Sequence, residues 1–313
     1  MNLKLLRDRS HMLRQARSFF FERDVLEVDC PALSSSACVD QHIDVMKVDL
    51  GSGQTGYLHT SPEYGMKRLL AAGLGDIYQI SHVFRAGEIG PLHNPEFTMA
   101  EWYRCGLTFP AMIEETLDFI RLFLGNLPSQ QLTYRAAFKS YLNIDYTAAI
   151  VPELLQIAQE RQLSLPDNAS SWDKDTVLQL VMSFLIEPHL GSDSLLVLLN
   201  FPATQSALSR TTELPCGERI ASRFEVYYRG IELANGYHEL TDPEEQKKRF
   251  EASNAARQKA GKELLQIDER LIEALQQGLP DCCGVAVGFD RLMLLRHQQK
   301  DLTTVLPFIW ASA

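Results

Sequence analysis

No stretch of this chain approaches the roughly 18 uninterrupted apolar residues of a membrane-spanning helix, so no transmembrane helix is predicted among its 313 residues. The start, Met1 to Ser10, is too charged for the apolar core of a secretory signal, and the chain reads as cytoplasmic. Basic charge is also scarce: 30 Lys and Arg stand against 40 Asp and Glu, a formal net charge of −10. Non-specific binding to a phosphate backbone needs clustered cations, so that class of function is disfavoured, although a local basic patch stays open. Cysteine is sparse. Cys30, Cys38, Cys105, Cys216, Cys282 and Cys283 form no CxxC pair and have no histidines at zinc-finger spacing, so neither a zinc site nor a disulfide framework is predicted. Repeats are absent.

What is present is apolar content of 45%, enough to bury one large core or two modest ones. Residues 3 to 24 place Leu3, Leu6, Met12, Leu13, Ala16, Phe19 and Phe20 at mixed three and four spacing, which predicts an amphipathic helix. Val25 to Val28 reads as extended and is stopped by Pro31. Two β-like runs, Ile43 to Leu50 and Tyr57 to Thr60, flank Gly51-Ser52-Gly53-Gln54-Thr55-Gly56, which matches GxGxxG by letter. A dinucleotide site needs a helix straight afterwards and none follows, so a hairpin turn is predicted.

Further on, a helix at Glu63 to Leu70 leads to strands Ile77 to Arg85 and Phe97 to Tyr103, joined by a polar loop from Ala86 to Glu96. Residues 111 to 125 and 150 to 187 read as helices, the latter inside an insertion at about 126–190. Strands are predicted at Leu195 to Phe201, Arg223 to Tyr228 and Ile231 to Ala234, then one long helix from Pro243 to Gln276, then a strand from Gly284 that enters a helix at Asp290. The order predicts an α+β fold with a mostly antiparallel sheet in a single domain over residues 1–313.

Three segments carry candidate chemistry. Phe84-Arg85 and His93-Asn94-Pro95-Glu96-Phe97 bracket the polar loop; an arginine forks onto phosphate, an imidazole can reach a second one, and an aromatic can stack on a base. Glu232 and Glu239 lie seven apart across a glycine-containing bend and could share Mg²⁺. Gly288 permits close approach of a ligand to the backbone, and Arg291 sits in the first turn of a helix, where anions are favoured. Each segment alone has a plainer reading: a solvated hairpin, strand-edge charge, a buried helix start.

Taken in order, the three resemble motifs 2 and 3 of class II aminoacyl-tRNA synthetases, and the first helix with Pro31 resembles motif 1. Ser61-Pro62-Glu63, His93 to Thr98, Glu101-Trp102-Tyr103 and Glu232 to Glu239 are most similar to the lysyl branch, in particular to its short paralogues that act on elongation factor P. This resemblance implies a six-stranded, mostly antiparallel sheet flanked by helices, no N-terminal OB-fold and hence no anticodon recognition, no membrane association, and a homodimer formed through the motif 1 region. ATP is implied to bind through Arg85, Ala86, Gly87, Glu88, His93, Asn94, Phe97, Glu232, Leu233, Gly288 and Arg291, with Arg85 and Arg291 catalytic. Mg²⁺ is implied at Glu232 and Glu239. Ser61, Pro62, Glu63, Tyr103, Asn235, Tyr237, Glu239 and Ala286 are implied to hold lysine or (R)-β-lysine. Full-length lysyl synthetases usually carry glycine at the place of Ala286. Motif 2 of many relatives reads arginine, any residue, glutamate, whereas here Arg85-Ala86-Gly87 precedes Glu88. The implied reaction forms an aminoacyl-adenylate and passes the acyl group to a lysine of elongation factor P. The alternatives are tRNA charging or free lysyl-adenylate release, and a non-catalytic regulatory paralogue.

Overall fold

The computed structural model describes residues 3–313; Met1 and Asn2, at the head of the charged N-terminal stretch, lie outside them. The chain divides into two compact units, one built from the chain up to Gly125 and again from Glu239 onward, the other from Asn126–His238. The first begins with α1 (Leu3–Phe21), β1 (Leu26–Glu27), β2 (Leu33–Ser34), β3 (Met46–Gly51) and β4 (Gln54–Leu58). It continues with α2 (Glu63–Ala71), β5 (Ile77–Phe84), β6 (Glu96–Cys105) and α3 (Phe109–Leu124). The second unit holds β7 (Ser129–Thr133), α4 (Tyr134–Leu142), α5 (Val151–Glu160), α6 (Lys174–Val181), β8 (Leu195–Pro202), β9 (Thr211–Glu213), β10 (Arg219–Tyr228) and β11 (Ile231–His238). The chain then returns to the first unit with α7 (Pro243–Lys259), α8 (Glu269–Gly278), β12 (Cys282–Gly288) and α9 (Phe289–Arg296).

In the first unit β1 lies parallel to β5, β5 antiparallel to β6, and β6 antiparallel to β12. Alternation along β6 sends Trp102 to the face covered by α1 and α3. There Phe20 stacks on Tyr78 at 4.1 Å between ring centroids, and Phe20 and Phe119 each stand 5.2 Å from Trp102. These aromatics are fully or nearly fully buried and dominate the cohesion of this layer. In the second unit β7 is parallel to β8, while β8, β9 and β11 all pair antiparallel with β10. A separate core of Tyr134, Phe138, Tyr146, Phe201 and the apolar faces of α5 and α6 packs on one side of it.

The expected α+β class with mostly antiparallel pairing is what the two units contain. The strand count differs: four strands in the larger sheet of the first unit and five in the second stand where six were expected. Gly51 to Gly56 makes a hairpin, with Ser52 and Gly53 at φ of 54° and 75° forming the two-residue turn between β3 and β4. The single long helix expected from Pro243 to Gln276 is two helices. Gly261 at φ +70° ends the first, and Asp268 caps the second by accepting from the backbone N–H groups of Arg270 and Leu271. The run 150 to 187 is likewise broken, because Gln162 turns to φ 62° after α5 and Asp173 starts α6 as a new cap. All six cysteines are free thiols; Cys30, Cys282 and Cys283 are buried and Cys216 is exposed.

Candidate active site

The pleat of β5, β6 and β12 decides which side chains share a face. Residues directly opposite in an antiparallel pair point the same way, and every second residue does so along a strand. Phe97, Met99, Glu101 and Tyr103 therefore project together, opposite Val83, Ser81, Gln79 and Ile77 on β5 and opposite Gly288, Ala286 and Gly284 on β12. This is the face turned away from Trp102 and its helices. The β12 residues on it are glycine, alanine and glycine, small enough for Tyr103 and Glu239 to pack directly on Gly284 while Gly288 meets only the Arg291 side chain. Arg85 continues the same row past the end of β5, its backbone N–H donating to the Pro95 carbonyl at 2.9 Å.

At one end of this face lies a group of acids. Ser61 Oγ donates to Glu101 Oε2 at 2.7 Å and Tyr103 OH to Glu101 Oε1 at 2.8 Å. Pro62 is buried in the turn that launches α2, and the Glu63 N–H donates to Ser61 Oγ at 3.0 Å, which fixes both residues at the helix start. Glu239, 1% exposed, comes in beside β12 with its N–H on the Cys282 carbonyl at 3.0 Å. Glu63 and Glu239 both pair with Lys67, at 2.6 Å each. Of the substrate-side residues expected from the sequence, the first unit thus assembles Ser61, Pro62, Glu63, Tyr103 and Glu239, with Ala286 facing Glu101 across the strand pair. Glu101 was quoted within a similar segment but given no role, and Lys67 was not singled out. The i,i+4 spacing of Glu63 and Lys67 on α2 was a usable signal for the second.

Burial first, then the charge of Glu63, pushes the Glu101 carboxyl from 4.5 up to about 8 against the pull of Ser61 and Tyr103. The folded state thus holds this proton more tightly than the unfolded chain does. The associated stability is complete below the ordinary carboxylate range and is lost as pH rises through about 8. Thermal unfolding of the ligand-free protein from pH ~5 to ~8.5 is therefore expected to show a decline that is shallower in Glu101→Gln. Parallel curves for the two proteins would withdraw this assignment.

At the other end lies a cationic group. Arg85 reaches over the Phe97 ring at 5.1 Å and stands 3.7 Å from Glu88, and its Nε is buried without a hydrogen-bond partner. An orphaned guanidinium N–H is costly to leave unmade and is suited to an anion. Ala86 is tied by its N–H to the Asp44 carbonyl at 2.8 Å, and Gly87 at φ +78° turns the loop that Gly90 and His93 close as a bridge. Arg291 donates to His93 Nε2 at 2.9 Å, so the imidazole accepts in its neutral form. Asp290, next to Arg291, accepts from the Thr98 N–H at 2.8 Å and from Arg9 at 2.5 Å, which anchors the start of α9. Asn94 is spent within the protein, its Nδ2 donating to the Glu96 carbonyl and its Oδ1 accepting from the Trp310 N–H.

The second unit carries its own polar set. Arg223 pairs with Glu225 and donates to Asn235 Oδ1 at 3.2 Å, and Asn235 Nδ2 donates to Tyr237 OH at 3.1 Å. Leu233 is buried. β11 is extended through Gly236, which pairs with Phe224, so the bend expected to bring Glu232 and Glu239 together is absent. The six steps from Glu232 to His238 alone span about 20 Å of strand. Glu225, missed in the sequence, is raised by burial and by the charge of Glu232, and Glu187 is pushed to about 7 by burial and then by Glu225 and Glu232. Among the described residues no group of three or more His, Cys, Asp or Glu is arranged to hold a metal by itself.

With this geometry in place, the comparisons with known proteins are specific. The family described as tRNA synthetases class II (D, K and N) matches residues 2–310. A protein of Haemophilus influenzae (strain PittGG) named elongation factor P (R)-beta-lysine ligase is 41% identical over 312 residues, covering 98% of this chain and 95% of its own. A protein of the same name from Vibrio cholerae serotype O1 is 44% identical over 315 residues, covering 98% and 96%. One from Yersinia enterocolitica serotype O:8 is 44% identical over 306 residues, covering 96% and 93%.

Proposed function

Because the chain belongs to the class II tRNA synthetase family for D, K and N, we propose that it is an ATP-dependent ligase that activates lysine or (R)-β-lysine as an adenylate and transfers it to a lysine of elongation factor P. One observation carries this reading: an unsatisfied guanidinium at Arg85 and a buried carboxylate group around Glu101 occupy the same face of one sheet, over a floor of Gly284, Ala286 and Gly288. An anion cradle and an ammonium pocket on one flat support suit a substrate with a cationic side chain and a carboxylate that must meet a phosphate.

In this assignment Phe97 stacks on the adenine, Arg85 grips the α-phosphate, and His93 and Arg291 contact the outer phosphates. The substrate carboxylate attacks the α-phosphorus and pyrophosphate leaves; Arg85 neutralises charge that builds at the reacting phosphate, and no protein nucleophile takes part. For Mg²⁺ the acids divide unequally. Glu239 is committed to Lys67, which favours its expected role at the substrate amine over its expected role as a metal ligand. Glu232 keeps the metal role the resemblance implies; the ion takes one or two carboxylates plus substrate phosphates and would supply charge neutralisation there. The homodimer is assigned to the α1 region, where Leu3, Phe21 and Leu26 remain exposed.

Purified protein with ATP, Mg²⁺ and lysine or (R)-β-lysine is expected to exchange labelled pyrophosphate into ATP. Labelled amino acid offered to elongation factor P and tRNA together is expected to end on the protein. Label on tRNA alone would select the tRNA-charging alternative, and absence of exchange would remove both.

A further inference from the structure

Arg257, in the last turn of α7, is 3% exposed and is spent largely on backbone carbonyls. Its Nε donates to the Glu263 carbonyl at 2.9 Å, just past the end of its own helix. Its Nη1 reaches another part of the chain, to the Asp40 carbonyl at 2.9 Å, the Ile43 carbonyl at 3.2 Å and Asp44 Oδ1 at 3.2 Å. Segment 40–44 is irregular and turns on Asp40, whose Oδ1 accepts from the N–H groups of His42 and Ile43 at 2.6 and 2.9 Å. Carbonyls in such a segment have no ladder to join, and two that converge repel each other unless a donor stands between them. Asp44 is also where this segment meets the site. Its carbonyl accepts from the Ala86 N–H at 2.8 Å, directly after Arg85. Arg85's own N–H is fixed by Pro95 as a continuation of the β5–β6 pairing, and Gly87 at φ +78° then turns the loop away. Asp44 thus supplies a hold on this loop from outside the strand pair.

We propose that Arg257 is a positioning residue for the phosphate end of the site: through segment 40–44 it fixes the Ala86 N–H and so aims the Arg85 guanidinium over Phe97. The inference rests on the function proposed above and adds to it the element that holds Arg85 in place. An arginine suits this task because its planar fork presents Nε to Glu263 and Nη1 to segment 40–44 at once, tying two segments in one rigid plane. A lysine could neutralise Asp44, but its donors radiate from a single atom and cannot span both. Lys262 already provides such a point charge, 3.0 Å from Asp44 Oδ2 and partly exposed, and it secures the Asp44 side chain rather than the carbonyls. Without Arg257 the segment loses the donor on which it converges, and the Ala86 N–H loses a fixed acceptor. The guanidinium next to it then samples several directions, and a misplacement of about 1 Å at a reacting group can cost as much as 10²-fold in rate.

The test uses the intact protein and two variants, Arg257→Lys and Arg257→Met. Amide hydrogen exchange, which needs no substrate, reads the link itself. The Ala86 N–H is expected to exchange about tenfold or more faster in both variants than in the wild type, while the amides of β6 and β12 keep their protection. Pyrophosphate exchange reads the consequence. Its kcat is expected to fall about tenfold in both variants while KM for the amino acid moves less than about twofold, because the amine end is held by other segments. In an Arg85→Ala background the same substitutions should cost less than about a further twofold, since the group they aim is gone. Equal losses in both backgrounds, or a parallel rise in KM for the amino acid, would mean that Arg257 only supports the fold. Unchanged Ala86 protection would mean that the link does not exist. Each of these results overturns the proposal. Arg257→Lys keeps the charge and most of the volume, so it supplies the measurement if Arg257→Met fails to fold. A wild-type protein without pyrophosphate exchange would remove the function proposed above, and the Ala86 amide would still decide whether Arg257 holds the loop.

Discussion

Arg85→Ala is expected to lower ATP–pyrophosphate exchange by about 10² to 10³-fold, the cost of removing one preorganised donor from a site where charge develops. The side chain is placed for that role by the backbone around it. Its own N–H is held by Pro95, the next residue is held by Asp44, and the guanidinium lies over Phe97. Its contact with Glu88 is long, at 3.7 Å, and partly exposed, so it contributes little to folding. The thermal unfolding midpoint of Arg85→Ala should therefore stay close to that of the wild type, since the half-buried side chain gives up a long ion pair worth about 0.5 kcal/mol or less. Arg85→Lys keeps the charge but loses the planar fork, and should recover only part of the rate. Near-normal exchange in Arg85→Ala, measured at saturating ATP and again well below KM, would dislodge this residue from the reacting phosphate.

A single methyl group at Gly284 is expected to be nearly as damaging by a different route. A Cβ built there overlaps the Tyr103 ring and comes within 2.5 Å of Glu239 Oε1. Neither neighbour can yield cheaply, because Tyr103 is tied to Glu101 and Glu239 to Lys67, all of them buried. Gly284→Ala should thus cost about 1–3 kcal/mol by overpacking, read as a lower denaturant midpoint at unchanged slope. It should also raise KM for the amino acid about tenfold or more while ATP affinity holds, since the displaced groups serve the amine and not the phosphates. Wild-type stability together with wild-type KM would show that the pocket floor is looser than these distances imply. Gly288, with only the Arg291 side chain at 3.6 Å or more from such an atom, should accept alanine far more easily.

The same contrast separates what could be read locally from what could not. The hairpin at Ser52-Gly53, the helix that begins at Glu63, and the strand on either side of the Arg85 loop depend on neighbours within a few residues, and their positions were legible. So were the strand ends beside Arg85 and Phe97 and the helix start beside Arg291, because flanking residues define each of them. The long charged helix was misread because its break rests on Gly261 and the Asp268 cap, two small signals inside a strongly polar run with no apolar period to interrupt. Glu239 was expected to behave as an accessible ligand; its 1% exposure and its pairing with Lys67 make it part of the core as well, so Glu239→Ala should unfold more readily than Arg85→Ala.

Order and spelling along the chain were enough to establish the family, the α+β class and the acids and arginines from which a site could be built. Tertiary pairing alone decided how those groups share charge. The antiparallel register of β5, β6 and β12 put Glu101 and Tyr103 on one face above Gly284, and the return of the chain at Glu239 gave Lys67 its second carboxylate. The physical reason is that backbone geometry is set by a residue and its close neighbours, whereas the protonation and pairing of a buried group depend on whichever charges the fold brings within a few ångströms, and those come from segments far apart in sequence.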